Sequence, residues 1–458
     1  MTALWLSRVA DRLEARLEGA DVSFSALTTD SREPQDGALF VALSGERFDG
    51  HEFVEAAARQ GAVAAVVARP LAIDLPQLVV QDTRLALGQV AACWRETSMA
   101  RVVALTGSNG KTTLKEMLAA ILRQRGSVLA TRGNLNNDIG VPLTLARLGD
   151  EDFAVVEMGA NHAGEIDYLA RLARPHVAVL NNAGRAHLEG FGSLEGVARA
   201  KAEIINGLET GGVFVCPGDS GWTPMWRELA KDHRVITFGT QEGVDVFAPA
   251  DGPGLEWTVT GFVQVFPVRL PGGEFRVQLA LAGLHNRRNA LAAISAAQAL
   301  GVDMEAMAAG LAEIQPVPGR LCPVAARNGV RLIDDSYNAN PESVIAAMGV
   351  LSAAPGRRFL VLGDLAELGA DGAGLTGELG VRARESGLDG LYTLGDLSRH
   401  ASAAFGDGGG HFDELPDLLA ALTGLLVPGD TVRVKGSRSA RMERVVAALA
   451  ADEEKLAC

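Results

Sequence analysis

Apolar residues in this chain fall mostly into short unbroken runs. Val102–Leu105, Phe153–Glu157 and Val177–Leu180 have the length and composition of strands buried on both faces. Between and around them, apolar positions recur at helical spacing in Arg84–Glu96, Leu114–Leu122, Gly164–Leu172, Leu194–Asn206 and Leu284–Leu300. This alternation predicts a parallel sheet with right-handed crossovers. Asp245–Leu281 differs: Thr, Val and Phe alternate between glycine turns, which predicts an antiparallel insertion.

Two further units flank this one. Leu39–Leu43, Val63–Val67 and Leu78–Val80 surround a helical stretch at His51–Gln60 and predict a small N-terminal α/β unit. After Pro316, Pro318 and Gly319, the runs Leu332–Asp335, Phe359–Leu362, Leu391–Leu394 and Thr431–Val434 predict a third α/β unit, doubly wound. The predicted boundaries are 1–82, 83–315 and 316–458. No internal repeat is present.

The length of 458 residues agrees with three units at roughly 150 residues each. A hydrophobic fraction of 48% with 21% charged residues excludes disorder, fibre and coiled coil. The net charge of −14 argues against nucleic-acid binding, though not against a local cationic pocket for a small anion. No apolar run reaches the roughly 18 residues of a membrane span, and Leu418–Val427 reads as packed helix. Arg8, Asp11, Arg12, Glu14 and Arg16 interrupt the N-terminus, so a signal peptide's apolar centre is missing. The four cysteines have no metal-ligand spacing. The expectation is a cytoplasmic enzyme, monomeric by default.

The sharpest local signal is Thr106-Gly107-Ser108-Asn109-Gly110-Lys111-Thr112-Thr113, between an apolar strand and a helical pattern. Glycines there let backbone N–H groups surround phosphates, and the helix N-terminus adds positive potential. Lys111 would reach the β and γ phosphates of ATP, and the Thr112 hydroxyl would ligate Mg²⁺. The loop is one residue shorter than the usual Walker spacing, because Gly107 lies only three before Gly110.

This shortened loop, with GNLNNDIGVP (Gly133–Pro142), EMGANHAGEI (Glu157–Ile166) and AHLEGFGSLEGVARAKAEI (Ala186–Ile204), resembles the Mur ligase family. GLHNRRNALAA (Gly283–Ala293), PGRL (Pro318–Leu321), DDSYNANP (Asp334–Pro341) and VKGSRSARME (Val434–Glu443) extend the resemblance, as do DSR (Asp30–Arg32) and FDGHEF (Phe48–Phe53). It implies a substrate-binding first domain, a central P-loop ATPase-like sheet and a C-terminal Rossmann-like domain. It also implies ATP-dependent amide formation through an acyl phosphate, joining UDP-N-acetylmuramoyl-tripeptide to D-alanyl-D-alanine. Members that add the third amino acid instead usually carry DNPR, which is absent here. A non-catalytic relative would have no need to keep Lys111, Thr112, Glu157, His187 and Lys201 together.

Residue roles follow from the same resemblance. Glu157 and His187 would bind a second Mg²⁺, with Lys201 in AKAEI carrying a carbamate that supports it. Asn286 and Asn289, beside His285, would meet adenine, although Asn286 could equally cap its helix. Arg320 would face the phosphates and Asp335 the ribose. Ser31 and Arg32, with Asp30 and His51, resemble the uridine-diphosphate end, though Arg32 could equally be a surface residue. Asn136 and Asn137 would line the muramyl-peptide channel, and Asn338, Asn340, Lys435 and Arg438 would face the dipeptide, whose carboxylate needs a cation.

Overall fold

The computed structural model describes residues 3–45, 48–251, 255–258 and 261–451. Met1, Cys458 and parts of the Asp245–Leu281 stretch lie outside them. Among the described residues, three main sheets, of five, ten and six strands, organise the chain, and two short two-stranded ladders accompany them.

In the central sheet the strand Arg101–Thr106 lies between Phe153–Glu157 and Val177–Leu180, all parallel. Successive residues of these strands alternate between two cores. Val102, Ala104, Ala154, Val156, Ala178 and Leu180 pack on one face. Val103, Leu105, Val155, Val177 and Val179 pack on the other. Burial on both sides is why these strands read as unbroken apolar runs. The register sets Leu105 beside Glu157 and Thr106 beside Leu180, so the three carboxyl ends finish nearly level. An open α/β sheet places its ligand crevice there.

Val213–Pro217, Arg234–Gly239 and Val246–Phe247 continue the sheet in parallel, and the hairpin Phe262–Leu270 and Gly273–Leu279 adds antiparallel strands at its edge. The expected insertion is therefore an extension of the same sheet. The first sheet mixes parallel strands with one antiparallel edge, Arg16–Glu18. Its core runs on into that of the central sheet through helix Thr83–Thr97, whose Leu87, Val90 and Trp94 share one cluster with Leu6, Val66 and Leu169.

The third sheet is parallel except for the edge strand Cys322–Ala325. Helices Pro341–Ser352 and Gly372–Glu385 cover one face over Leu360, Leu362 and Leu391. Helices Leu415–Leu425 and Glu443–Leu449 cover the other over Val361, Val432 and Val434, which makes the unit doubly wound. Among the described residues no helix is long and apolar enough to cross a membrane.

Candidate active site

The loop after Arg101–Thr106 turns into helix Lys111–Arg123 at Gly110, whose φ is +76°. A side chain there would be strained, and its Cβ would lie 2.5 Å from Asn289 Oδ1. The free N–H groups of the first helical turn face the cleft, the arrangement that attracts phosphate. Lys111 is half-buried and folds back to donate to Gly107 O at 2.8 Å. Burial lowers its pKa from the usual lysine range, with Glu157 opposing that shift.

A second loop holds this one in shape. Asn109 N donates to Asn182 Oδ1 (2.8 Å), and Asn109 O accepts from Asn181 Nδ2 (3.0 Å) and Asn182 Nδ2 (2.9 Å). Ser108 Oγ accepts from Gly184 N at 2.9 Å. Asn181, Asn182 and Gly184 escaped the motif reading. Their signal was position, directly past the end of the adjacent strand Val177–Leu180.

Glu157 ends its strand in a buried position. Its Oε1 accepts from Asn136 Nδ2 at 2.8 Å and faces the Thr112 hydroxyl at 3.5 Å. Its Oε2 is buried with no hydrogen-bond partner among the described residues. A buried carboxylate oxygen without a donor is costly, and a cation shared with Thr112 would satisfy it. Asn137 plays a local part: its Oδ1 accepts from Ile139 N and Gly140 N and supports the helix Gly140–Leu145.

Lys201 is 1% exposed and has no carboxylate partner within ion-pair distance among the described residues. Its ammonium donates to Ala160 O (3.3 Å) and lies 5.1 Å from the Phe191 ring centroid. Burial, helped by the charge of Lys111, lowers its pKa to about 7. His187 pairs through Nδ1 with Glu367 of the third unit, and both residues hold left-handed backbone, φ 55° and 59°. Glu157, His187 and Ala160, whose carbonyl accepts from Lys201, all line one cleft. Among the described residues no three His, Cys, Asp or Glu side chains converge at metal-ligating spacing.

The cleft between the central and third units encloses about 830 Å³. Residues 108–113, Asn136, Asn137, Glu157, His187, Asn286 and Asn289 line it from one side. Arg320, Asp335, Asn338, Asn340, Lys435 and Arg438 line it from the other. Asn289 accepts from Asn181 Nδ2 at 2.7 Å, and Asn286 donates to Ala282 O at 2.9 Å, so both amides are partly engaged within the protein. Asn340 caps helix Pro341–Ser352 through Oδ1 and donates from Nδ2 to Asn109 Oδ1 at 2.8 Å, tying the third unit to the phosphate loop. Arg320 stacks on Tyr337, 4.2 Å from the ring centroid. Asn338 Oδ1 accepts from Ala339 N, and Arg438 is exposed, 3.6 Å from Glu443.

Asp335 is engaged more fully than a free ribose ligand would be. It pairs with Arg433 at 2.6 Å and Lys435 at 2.8 Å, and Lys435 also donates to Asn338 O at 3.0 Å. Burial alone would raise its pKa, but the two cations outweigh that and hold it at about 2. Since the folded pKa lies below the usual carboxylate value, this stabilisation is complete above about pH 4 and is lost as pH falls through about 2. Replacing Asp335 by Asn strands two buried cations, and urea unfolding at pH 7 should show a loss of about 3–5 kcal/mol.

A partly exposed ion pair also crosses the cleft, Arg185 to Glu342 at 2.6 Å, with Glu378 3.7 Å away. Arg185→Glu should raise KM for ATP about 3–10-fold, and adding Glu342→Arg should restore it, as steady-state kinetics would show.

Ser31 and Arg32 do not line this cleft. Arg32 is exposed and paired with Asp30 at 2.5 Å. His51 is buried, between Asp49 Oδ1 (2.5 Å) and Ala68 N (2.8 Å).

Residues 23–95 match the Mur ligase family catalytic domain, 105–297 the Mur ligase middle domain and 319–438 the Mur ligase glutamate ligase domain. The chain is 47% identical over 452 residues to the UDP-N-acetylmuramoyl-tripeptide–D-alanyl-D-alanine ligase of Escherichia coli K12, covering 98% of this chain and 99% of that protein. It is 40% identical to the Haemophilus influenzae ligase of the same name over the full length of both. A crystal structure of MurF from Acinetobacter baumannii superposes with a TM-score of 0.90 at 39% identity, covering 97% of this chain and 98% of that one. MurF from Thermotoga maritima in complex with ADP superposes at 0.82 with 31% identity, covering 94% and 97%. The chain belongs to the Mur ligase family.

Proposed function

We propose that this chain joins D-alanyl-D-alanine to UDP-N-acetylmuramoyl-tripeptide at the expense of ATP, yielding the muramoyl-pentapeptide used in peptidoglycan synthesis. The observation that carries the chemistry is the cleft itself: Lys111, the first turn of its helix and the unpartnered Glu157 Oε2 face one space closed by Asn340 and Arg320. The substrates follow from the names of the full-length relatives.

On this reading a terminal carboxylate oxygen of the tripeptide attacks the γ-phosphorus, ADP leaves, and an acyl phosphate forms. The dipeptide amine then attacks the acyl carbon, loses a proton, and expels phosphate carrying one original carboxylate oxygen. Lys111 and the helix N-terminus neutralise charge on the transferring group. Thr112 and Glu157 would hold Mg²⁺, which supplies further neutralisation of the phosphates when bound. A second ion would draw on Glu157, His187 and a carbamate on Lys201, and it requires His187 to leave Glu367. Closure of the third unit excludes the water that would hydrolyse an acyl phosphate.

Asn286, Asn289 and Asp335 would take the nucleoside, and Asn136 and Asn137 the tripeptide; all five line the cleft. Ser31 and Arg32 belong to the uridine end, with units 1–82, 83–315 and 316–458 dividing these tasks. The ATP site is complete within one chain, which suits a monomer, and the use of ATP suits the cytoplasm. Labelling the tripeptide's terminal carboxylate with ¹⁸O tests the intermediate: label should appear in released phosphate, and unlabelled phosphate would contradict it.

A further inference from the structure

Lys115 is 1% exposed, yet it sits one helical turn beyond Lys111 on a face otherwise built from Leu118, Ala119 and Leu122. A methionine would fill that space without desolvating a charge, so packing alone does not account for the ammonium. Its Nζ donates to Thr131 O at 2.7 Å and pairs with Glu116 Oε1 at 2.9 Å. Thr131, itself 2% exposed, lies just past the strand Val128–Ala130, where the loop carrying Asn136 begins. Its hydroxyl accepts from the backbone N–H of Glu157 at 2.9 Å, and its own N–H donates to Val155 O at 3.0 Å.

One side chain therefore ties the phosphate-loop helix to the residue that fixes both the Glu157 backbone and the start of the Asn136 loop. Asn136 in turn donates to the Glu157 carboxylate. We infer that Lys115 is a positioning residue, holding Thr131 so that Glu157 and Asn136 stand at a fixed distance from Thr112 and the phosphate loop. Supports one layer behind ligating groups commonly change metal affinity or activity about 10–100-fold. The inference rests on the ligase reading above only for its kinetic arm.

The test uses Lys115→Met and, should that protein not fold, Thr131→Val, which keeps the carbonyl but removes the acceptor for Glu157 N–H. Calorimetric titration of Mg²⁺ into the ADP-bound protein should show about 10-fold or greater weakening in each variant. ADP affinity without Mg²⁺ should be unchanged, because the loop's own N–H groups are untouched. In turnover, KM for the muramyl substrate should rise and kcat fall while KM for D-alanyl-D-alanine stays put. In the double variant the losses should be less than the product of the singles, since both break one chain of contacts. Unchanged Mg²⁺ affinity, multiplicative losses, or an equal loss toward all substrates would overturn the assignment. A wild-type protein that binds Mg²⁺ with ADP but ligates nothing would overturn the ligase reading instead, leaving the titration to decide on Lys115.

Discussion

Lys111→Ala should lower kcat by about 10³-fold while the protein remains folded. The lysine makes one hydrogen bond inside the protein, to Gly107 O, so its removal costs stability only about 1 kcal/mol. In the transition state its ammonium would face a transferring phosphoryl group in a half-enclosed cleft, where a fixed cation is worth far more than in water. The split between a large kinetic loss and a small stability loss is the signature, read by steady-state kinetics alongside urea unfolding. Near-normal turnover would remove the phosphate-loop assignment.

The second large effect concerns Lys201. Its buried amine, with a pKa lowered to about 7, is substantially neutral at physiological pH. A neutral amine can attack CO₂ and release a proton, turning a cation that repels Mg²⁺ into an anion that supports it. Lys201→Ala should lose about 10–100-fold in activity, and formate or acetate should restore part of it by supplying the missing anion. Lys201→Arg should stay inactive, because guanidinium is permanently charged and takes up no CO₂. Lys201→Met should nevertheless raise the unfolding midpoint at neutral pH. The unfolded chain binds a proton that the folded amine does not fully hold, and that unfavourable difference disappears with the lysine. An active Lys201→Arg enzyme would leave Lys201 as an ordinary buried lysine.

How far the sequence could be read depended on what each residue's environment draws from its near neighbours. Phe153–Glu157 and Val177–Leu180 are legible end for end, because burial on both faces leaves an unbroken apolar run. Val213–Pro217 and Arg234–Gly239 are parallel strands of the same sheet, but glycine and proline turns hem in the first, and Arg234 and Thr237 interrupt the second. The phosphate loop is local, so its strand, turn and helix are visible in one short stretch. Partnerships across the cleft are not. Asn340 meets Asn109 from 231 positions away, and Arg185 finds Glu342 only because two sheets are packed against each other. Motif position also says little about whether a charge is already matched: Asp335 and Lys435 line the cleft, yet Asp335 already pairs with both Lys435 and Arg433. Lys115 is hidden in the opposite way, as a polar residue on an apolar helical face whose partner lies across the sheet edge.

Phosphate release from ATP in the presence of UDP-N-acetylmuramoyl-tripeptide tests the central claim most directly, with the acceptor varied. D-Alanyl-D-alanine should drive stoichiometric release of phosphate and formation of the pentapeptide, while free meso-diaminopimelate or lysine should give only background. Turnover with either free amino acid but not with the dipeptide, or hydrolysis of ATP indifferent to the acceptor, would contradict the account.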